Sequence, residues 1–463
     1  MGCGATSSTG ALREQSAGES RRRSRWAQTL TLSQRLLPRV QKSPAHMFGS
    51  RFEFYAKRVR SLSTDPYVRS RAGKLTVDAS VLRAWAAQPE LFPCLRELIS
   101  LRGISTINCA QVLSEFCAMS AITSLTVPAD TLVALAGSTA RLWPSLQKLV
   151  VHDGSVDTSI REQWPRIFSE TLTSASTLRH LELRLVVPVP DHIHLIASMR
   201  TLTVLKLWVS AVLPDLPSHA FPALRTLLVH EIGWSGGPQH VLRACSSKSL
   251  RDLDLSFISG CGGKDQVDEI REALSLIASH VHLCTLTLGF FMPRLSSTGQ
   301  SEEFGPFLHA LGALPHLEVI TITSLFVQLA LNFDDVLVAL NCFPRLKEWH
   351  LRSAGAASSS ELGKCAPVSL RQFLELLRHR PNIIKLPVAI ASPELPCDDT
   401  LSSFGTHRCE NVTIMAAGDT PEMQHIVQRL FPRTVPPEQV WLTGHDISRT
   451  AHASAAVWAG KLS

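Results

Sequence analysis

"FPALRTLLV", residues 221–229, carries its apolar residues at spacings of three and then two. That is neither the strict alternation of a half-buried strand nor the three-and-four rhythm of an amphipathic helix. Nearly the same phrase returns as "LPHLEVITI" at 314–322 and "FPRLKEWHL" at 343–351. A phrase that recurs at intervals of tens of residues is an internal repeat, and a repeat settles architecture before any local motif does.

Reduced to apolar-x-x-apolar-x-apolar, the phrase starts at Ile122, Leu146, Leu178, Leu202, Leu224, Leu250, Leu283, Leu317, Leu346, Ile383 and Cys409, with a weaker copy, "LRELIS", at Leu95. The steps run from 22 to 37 residues and average about 28 to 29, the period of leucine-rich repeats. Each copy sends three side chains inward from a short strand, and no copy can bury that face alone. Between copies lie amphipathic stretches such as "VDEIREALSLIASHV" at 267–281 and "VSLRQFLELLRHR" at 368–380. The expected fold is therefore an α/β leucine-rich-repeat solenoid, a horseshoe with parallel strands on the concave face and helices on the convex face. A doubly wound sheet would show longer β-branched strands and a Gly-rich first turn, and neither is present. The Asn that commonly ladders the turn after such strands is missing from most copies, so the repeats are degenerate.

The 463 residues, 45% hydrophobic and 18% charged, suffice for a long packed core. Residues 1–25 are rich in Ser, Gly and Arg and read as a disordered basic segment. Residues 26–90 read as a helical entry that caps the first repeat, 91–432 as about 12 degenerate repeats, and 433–463 as a C-terminal cap and tail. Residues 1–75 carry net +11 and the rest net −4, within the total of +7. A basic front on a mildly acidic body, with two tyrosines in the whole chain and no basic-aromatic alternation, argues against a nucleic-acid platform. No apolar run approaches a membrane span, and the eleven cysteines are scattered without a C-x-x-C pair. A cytoplasmic or nuclear protein with reduced thiols is expected.

The "FP-x-L" lead-ins at Phe92, Phe221 and Phe343, the degenerate repeats, and "RFEFYAKRVRSL" at 51–62 ahead of "LFPCLREL" resemble the large fungal family of F-box and leucine-rich-repeat proteins. The resemblance implies an adaptor that docks on the Skp subunit of a cullin-RING ubiquitin ligase and presents a protein substrate on its repeats. An F-box opening phrase is not legible before Arg51, where "SQRLLPRVQKSP" is the nearest text. A free-standing repeat scaffold therefore stays open as the alternative.

"GWSGG" at 233–237 fits the nucleophile-elbow pattern, with Ser235 as the nucleophile of a serine hydrolase. Such an enzyme needs an oxyanion loop and later Asp and His on one sheet, whereas the preceding strand here is one of a dozen equivalent copies. "HIH" at His192–His194 and "HVHLC" at His280–Cys284 offer alternating ligand types, but no further cluster stands at ligand spacing. Neither a metal nor a cofactor is expected, and no enzymatic activity. "MGCGAT" fits an acylation start, with Gly2 for myristoylation, Cys3 for palmitoylation and "RRRSR" as the basic second signal. Membrane attachment is expected only if that start is lipidated.

Function is expected on the concave face, at the outward positions of each phrase. These are Lys148, His152, His180, Glu182, Arg184, Lys206, Trp208 and His230, followed by Asp252, Asp254, Glu348, His350 and Arg352. A Trp beside charged neighbours is the usual composition of a protein-binding hot spot. Trp349 falls at an inward position and should be structural.

Overall fold

A computed structural model describes residues 29–30, 56–63, 91–99, 114–115, 122–135, 143–152, 158–184, 190–209, 213–231, 237–258, 264–291, 302–303, 308, 311–312, 314–324, 329–330, 333–353, 366–392, 409, 411–414 and 429–431. The chain divides into two compact units, residues 1–208 and 209–463.

The first unit holds strands β1 (Thr29–Leu30), β2 (Ser61–Ser63), β3 (Glu97–Ile99), β4 (Ser124–Pro128), β5 (Lys148–His152), β6 (His180–Arg184) and β7 (Val204–Val209). Each pairs in parallel with the next in chain order. Helices α1 (Ala129–Leu135), α2 (Thr158–Ser174) and α3 (Pro190–Ser198) fill the crossovers from β4 to β7. A parallel neighbour requires such a return path.

The second unit repeats the plan with β8 (Thr226–Glu231), β9 (Asp252–Ile258), β10 (Thr285–Phe291), β12 (Val319–Ser324), β14 (Glu348–Ser353) and β16 (Lys385–Ser392). These pair in parallel in that order. Strands β15 (Ala366–Ser369) and β17 (Asn411–Ile414) also pair with β16, while β11 (Glu302–Glu303) and β13 (Leu329–Ala330) form a separate short pair. Helices α4 (Gly237–Ala244), α5 (Lys264–Ala278), α6 (Phe333–Cys342) and α7 (Leu370–His379) lie between strands. Both units are open α/β assemblies of parallel strands.

The phrase explains the packing. Its three apolar positions are fully buried, as at Leu178, Leu181 and Leu183 or Leu317, Ile320 and Ile322. Helix residues such as Phe168 of α2, Ile193 and Ile196 of α3, and Leu274 and Ile277 of α5 are fully buried as well. Trp349 is buried as expected. The lead-in closes a tight turn, because the carbonyl of Phe92, Phe221 or Phe343 accepts the N–H of the Leu three residues on. Pro at the next position suits the turn's fixed φ and has no N–H to leave unpaired.

One backbone contact recurs at ten copies of the phrase among the described residues. The carbonyl at the second phrase position accepts two N–H groups from the following unit, as where Arg96 O takes Thr123 N at 2.8 Å and Ser124 N at 3.0 Å. The same pairing occurs at Arg60, Thr123, Gln147 and Arg179 in the first unit, and at Arg225, Arg251, Cys284, Glu318 and Lys347 in the second. The missing Asn ladder has a substitute. Ser145 Oγ donates to Ile122 O at 3.2 Å, Thr177 Oγ1 to Leu146 O at 3.1 Å, Thr201 Oγ1 to Leu178 O at 2.8 Å, and Ser249 Oγ to Leu224 O at 3.3 Å. Each hydroxyl stands one residue before its phrase and reaches the first residue of the phrase before.

Two expectations need correction. The stretch 26–90, read as helical, contains strand β2, and Arg60 O accepts Arg96 N and Glu97 N as at those other copies. That copy escapes the pattern because Thr64 stands where the third apolar residue belongs. The stretch 368–380 is also not helical throughout. Val368 and Ser369 close β15, and α7 begins at Leu370 because Ser369 and Gln372 form a reciprocal capping box. The tail 433–463 lies outside the described residues.

The hydroxyl ladder predicts that Thr201→Val, which keeps the shape and removes the donor, lowers unfolding free energy in urea by about 0.5–1.5 kcal/mol. Thr173→Val serves as the control, since Thr173 Oγ1 reaches only the Ser169 carbonyl on an exposed helix face. Equal effects of the two would refute the ladder's role.

Candidate interaction face

Register turns the outward phrase positions into rows. In the first unit the third positions align Glu97, Ser124, Lys148, His180 and Val204 across neighbouring strands. The fifth positions align Ile99, Thr126, Val150, Glu182 and Lys206, and the seventh place Pro128, His152 and Arg184 side by side.

The middle row is the crowded one. Thr126, Val150 and Glu182 are all buried, and Glu182 is only 4% exposed. Sequence reading placed Glu182 as an exposed contact residue, and this is corrected: its neighbours cover it. His180 Nε2 and Lys206 Nζ each stand 3.5 Å from Glu182 Oε2, while Arg184 grips Oε1 through Nε and Nη2. Burial alone would raise the Glu182 carboxyl. The His180 ring, the charges of Arg184 and Lys206, and the Arg184 hydrogen bond outweigh it and hold the group at about 2 against 4.5 for an ordinary glutamate. The Arg184 side chain remains 53% exposed, with its guanidinium carbon 5.3 Å from the Trp208 ring centroid. Arg184 is thus pinned from two sides while part of its fork faces outward. Lys148 Nζ lies 3.8 Å from Glu97 Oε1, and Glu97 also accepts from Ser124 Oγ at 3.2 Å. His152 is half-buried next to Arg184.

The second unit has its own, milder face. Asp252 accepts from Thr226 Oγ1 at 3.1 Å, and His230 Nε2 sits 3.4 Å from Asp254 Oδ1. Between Asp252 and Glu348 the aligned third positions are Thr285 and Val319, which are uncharged. On β14, His350 Nε2 lies 2.9 Å from Glu348 Oε2, and Lys385 Nζ lies 3.7 Å from the same oxygen. Arg352 takes the register position opposite Thr323. Glu97 and Lys385 were missed on the sequence, although both hold the third position of a recognised phrase.

The other sequence candidates disperse. His192 and His194 are on helix α3, not on a strand, and His192 Nε2 contacts the Pro165 carbonyl at 2.9 Å. His280 and His282 belong to the turn before β10. Burial lowers the His280 pKa, opposed by a hydrogen bond with the Ser247 backbone, and burial raises that of the Cys245 thiol. Among the described residues no three His, Cys, Asp or Glu side chains cluster as a metal site, and no helix is long and apolar enough to cross a membrane. Ser235, Gly2 and Cys3 lie outside the described residues. Neither a family model nor a curated protein matches the chain.

The Glu182 cluster gives a signed pH prediction. A carboxyl lowered in the folded state adds stability that is fully present above about 4.5 and is lost as pH falls toward about 2. Glu182→Gln should therefore cost about 1–3 kcal/mol at neutral pH, measured by urea unfolding. The gap from wild type should narrow as pH falls below about 4.5; a gap that is unchanged at pH 3 would contradict this account.

Proposed function

We propose that the chain is a leucine-rich-repeat solenoid, strands on its concave face and helices on its convex face, that binds another protein and catalyses no reaction. Its role is to recruit that protein to a cullin-RING ubiquitin ligase. The observation that carries the reading is the aligned rows of outward residues. Within each unit, successive phrases bring polar and charged side chains into lateral register, and in the first unit an aromatic anchor joins them. A laterally ordered surface of this kind suits a protein ligand, which spreads its contacts, better than a small substrate, which needs a concave pocket with converging groups. The nucleophile-elbow pattern adds nothing to this reading, since its strand is an ordinary member of the repeat.

The ligase role rests on the resemblance of residues 51–62 and the "FP-x-L" lead-ins to F-box and leucine-rich-repeat proteins. Its test is co-expression of the full chain with the Skp adaptor, followed by size-exclusion chromatography. Co-elution as a stoichiometric complex is expected, and it should be lost in a chain that begins at Arg51. Separate elution of the full chain would remove the ligase role and leave a free-standing repeat scaffold.

A further inference from the structure

We propose that the strand face and rim of the first unit bind an acidic segment of the partner protein, with Arg184 and Trp208 as the anchor. The inference rests on the protein-binding reading above and specifies the chemistry of the ligand.

The charge on this surface is one-sided. Among the described residues at the second to seventh phrase positions of β2 to β7, the cations are Arg60, Arg96, Lys148, Arg179, Arg184 and Lys206, and the acids are Glu97 and Glu182. Glu182 is enclosed by its own cluster and offers no charge to a ligand. Glu97 is shared between Lys148 and Ser124. Arg60, Arg96 and Arg179 are exposed at the second position. That position carries the carbonyl shared with the next unit, so their backbones are fixed along one rim.

The geometry favours carboxylates on a peptide. Arg184 is held by Glu182 on one side and Trp208 on the other, which limits the side-chain entropy lost when its outward N–H groups engage a ligand. Parallel strands stand about 4.8 Å apart, and side chains on one face of an extended peptide recur at about 7 Å. Arg179 immediately precedes β6 and Arg184 ends it, about 16 Å away, so an extended segment that meets the rim with one acidic residue reaches the Arg184 row with another about five residues further on. Single-stranded nucleic acid fits less well. Trp208 is the one Phe, Tyr or Trp ring among these positions, so no series of stacking platforms exists.

The test is fluorescence anisotropy of a labelled peptide of Asp and Glu with Gly spacers, titrated with the full chain. A peptide of Asn and Gln with the same spacers and a single-stranded oligouridine are the comparisons. Binding of the acidic peptide is expected, weakening as salt rises from low to physiological strength. The Arg184→Gln/Lys206→Gln protein should bind at least about tenfold more weakly. Those two residues neutralise Glu182, so a second protein, Arg60→Gln/Arg179→Gln, alters two exposed side chains away from that cluster. It should melt like wild type and bind several-fold more weakly. Equal binding of the Asn/Gln peptide, tighter binding of oligouridine, or no loss in the rim variant would overturn the proposal. If wild type ignores the acidic peptide yet still co-elutes with the Skp adaptor, this inference fails alone. If both fail, the ligase role falls as well, and a free-standing repeat scaffold with another class of ligand is left.

Discussion

The carbonyl at the second phrase position holds the architecture together. By accepting two N–H groups from the following copy, at ten copies of the phrase it locks the entry of a strand to its neighbour before any side chain is considered. A slip of one residue would turn every inward Leu outward and every outward charge into the core. The double acceptor thus converts a repeat in the sequence into a repeat in space. Ser145, Thr177, Thr201 and Ser249 reinforce it by donating to the carbonyl one residue earlier. Two adjacent carbonyls at each of these turns are satisfied, which matters because the turn sits against a buried first-position residue.

Once register is fixed, lateral neighbours decide the chemistry of the face. Val150, Glu182 and Lys206 come from three different phrases, yet they stand side by side because all hold the fifth position. A carboxylate in that buried row is tolerable only with cations within reach, and Arg184 and Lys206 provide them. The arrangement works in both directions. Glu182 orients Arg184, and Trp208 limits the other side of the guanidinium, so the outward part of the fork is positioned before a ligand arrives.

Most of this was legible in the sequence as soon as positions were counted within the phrase. The inward residues, the buried Trp349 and the outward list all follow from one pattern. What escaped did so for identifiable reasons. Strand β2 was hidden because Thr64 breaks the third apolar position, although Val59 and Leu62 keep the first two. The burial of Glu182 depends on side chains 24 residues ahead and on its own strand, and no single phrase displays that. Aligning fifth positions would have exposed the Glu182–Lys206 pair. The hydroxyl ladder was equally available, since Ser or Thr precedes several phrases, but the search was for Asn. Ser369 and Gln372 spelled a capping box inside a stretch read as continuous helix.

The lead-in position shows where the repeat is weakest and why it still closes. It holds Phe92, Trp143, Phe221, Leu314 and Phe343 in well-formed copies, but Ser247, His280 and Arg380 in others. Each polar substitute has its own hydrogen bonds. Ser247 Oγ reaches Leu224 O at 2.6 Å, His280 bonds the Ser247 backbone, and Arg380 Nη2 reaches Leu340 O at 2.8 Å. These contacts run back along the chain to the preceding unit, so lost apolar burial is replaced by hydrogen bonds between the same neighbours. In a stacked array, stability is a sum of unit and nearest-neighbour terms. A degenerate copy therefore weakens one seam without disturbing the register of the rows. The inward positions carry most of the stability and the outward positions set the chemistry of the face, which in the first unit gathers cations around the buried Glu182 carboxylate.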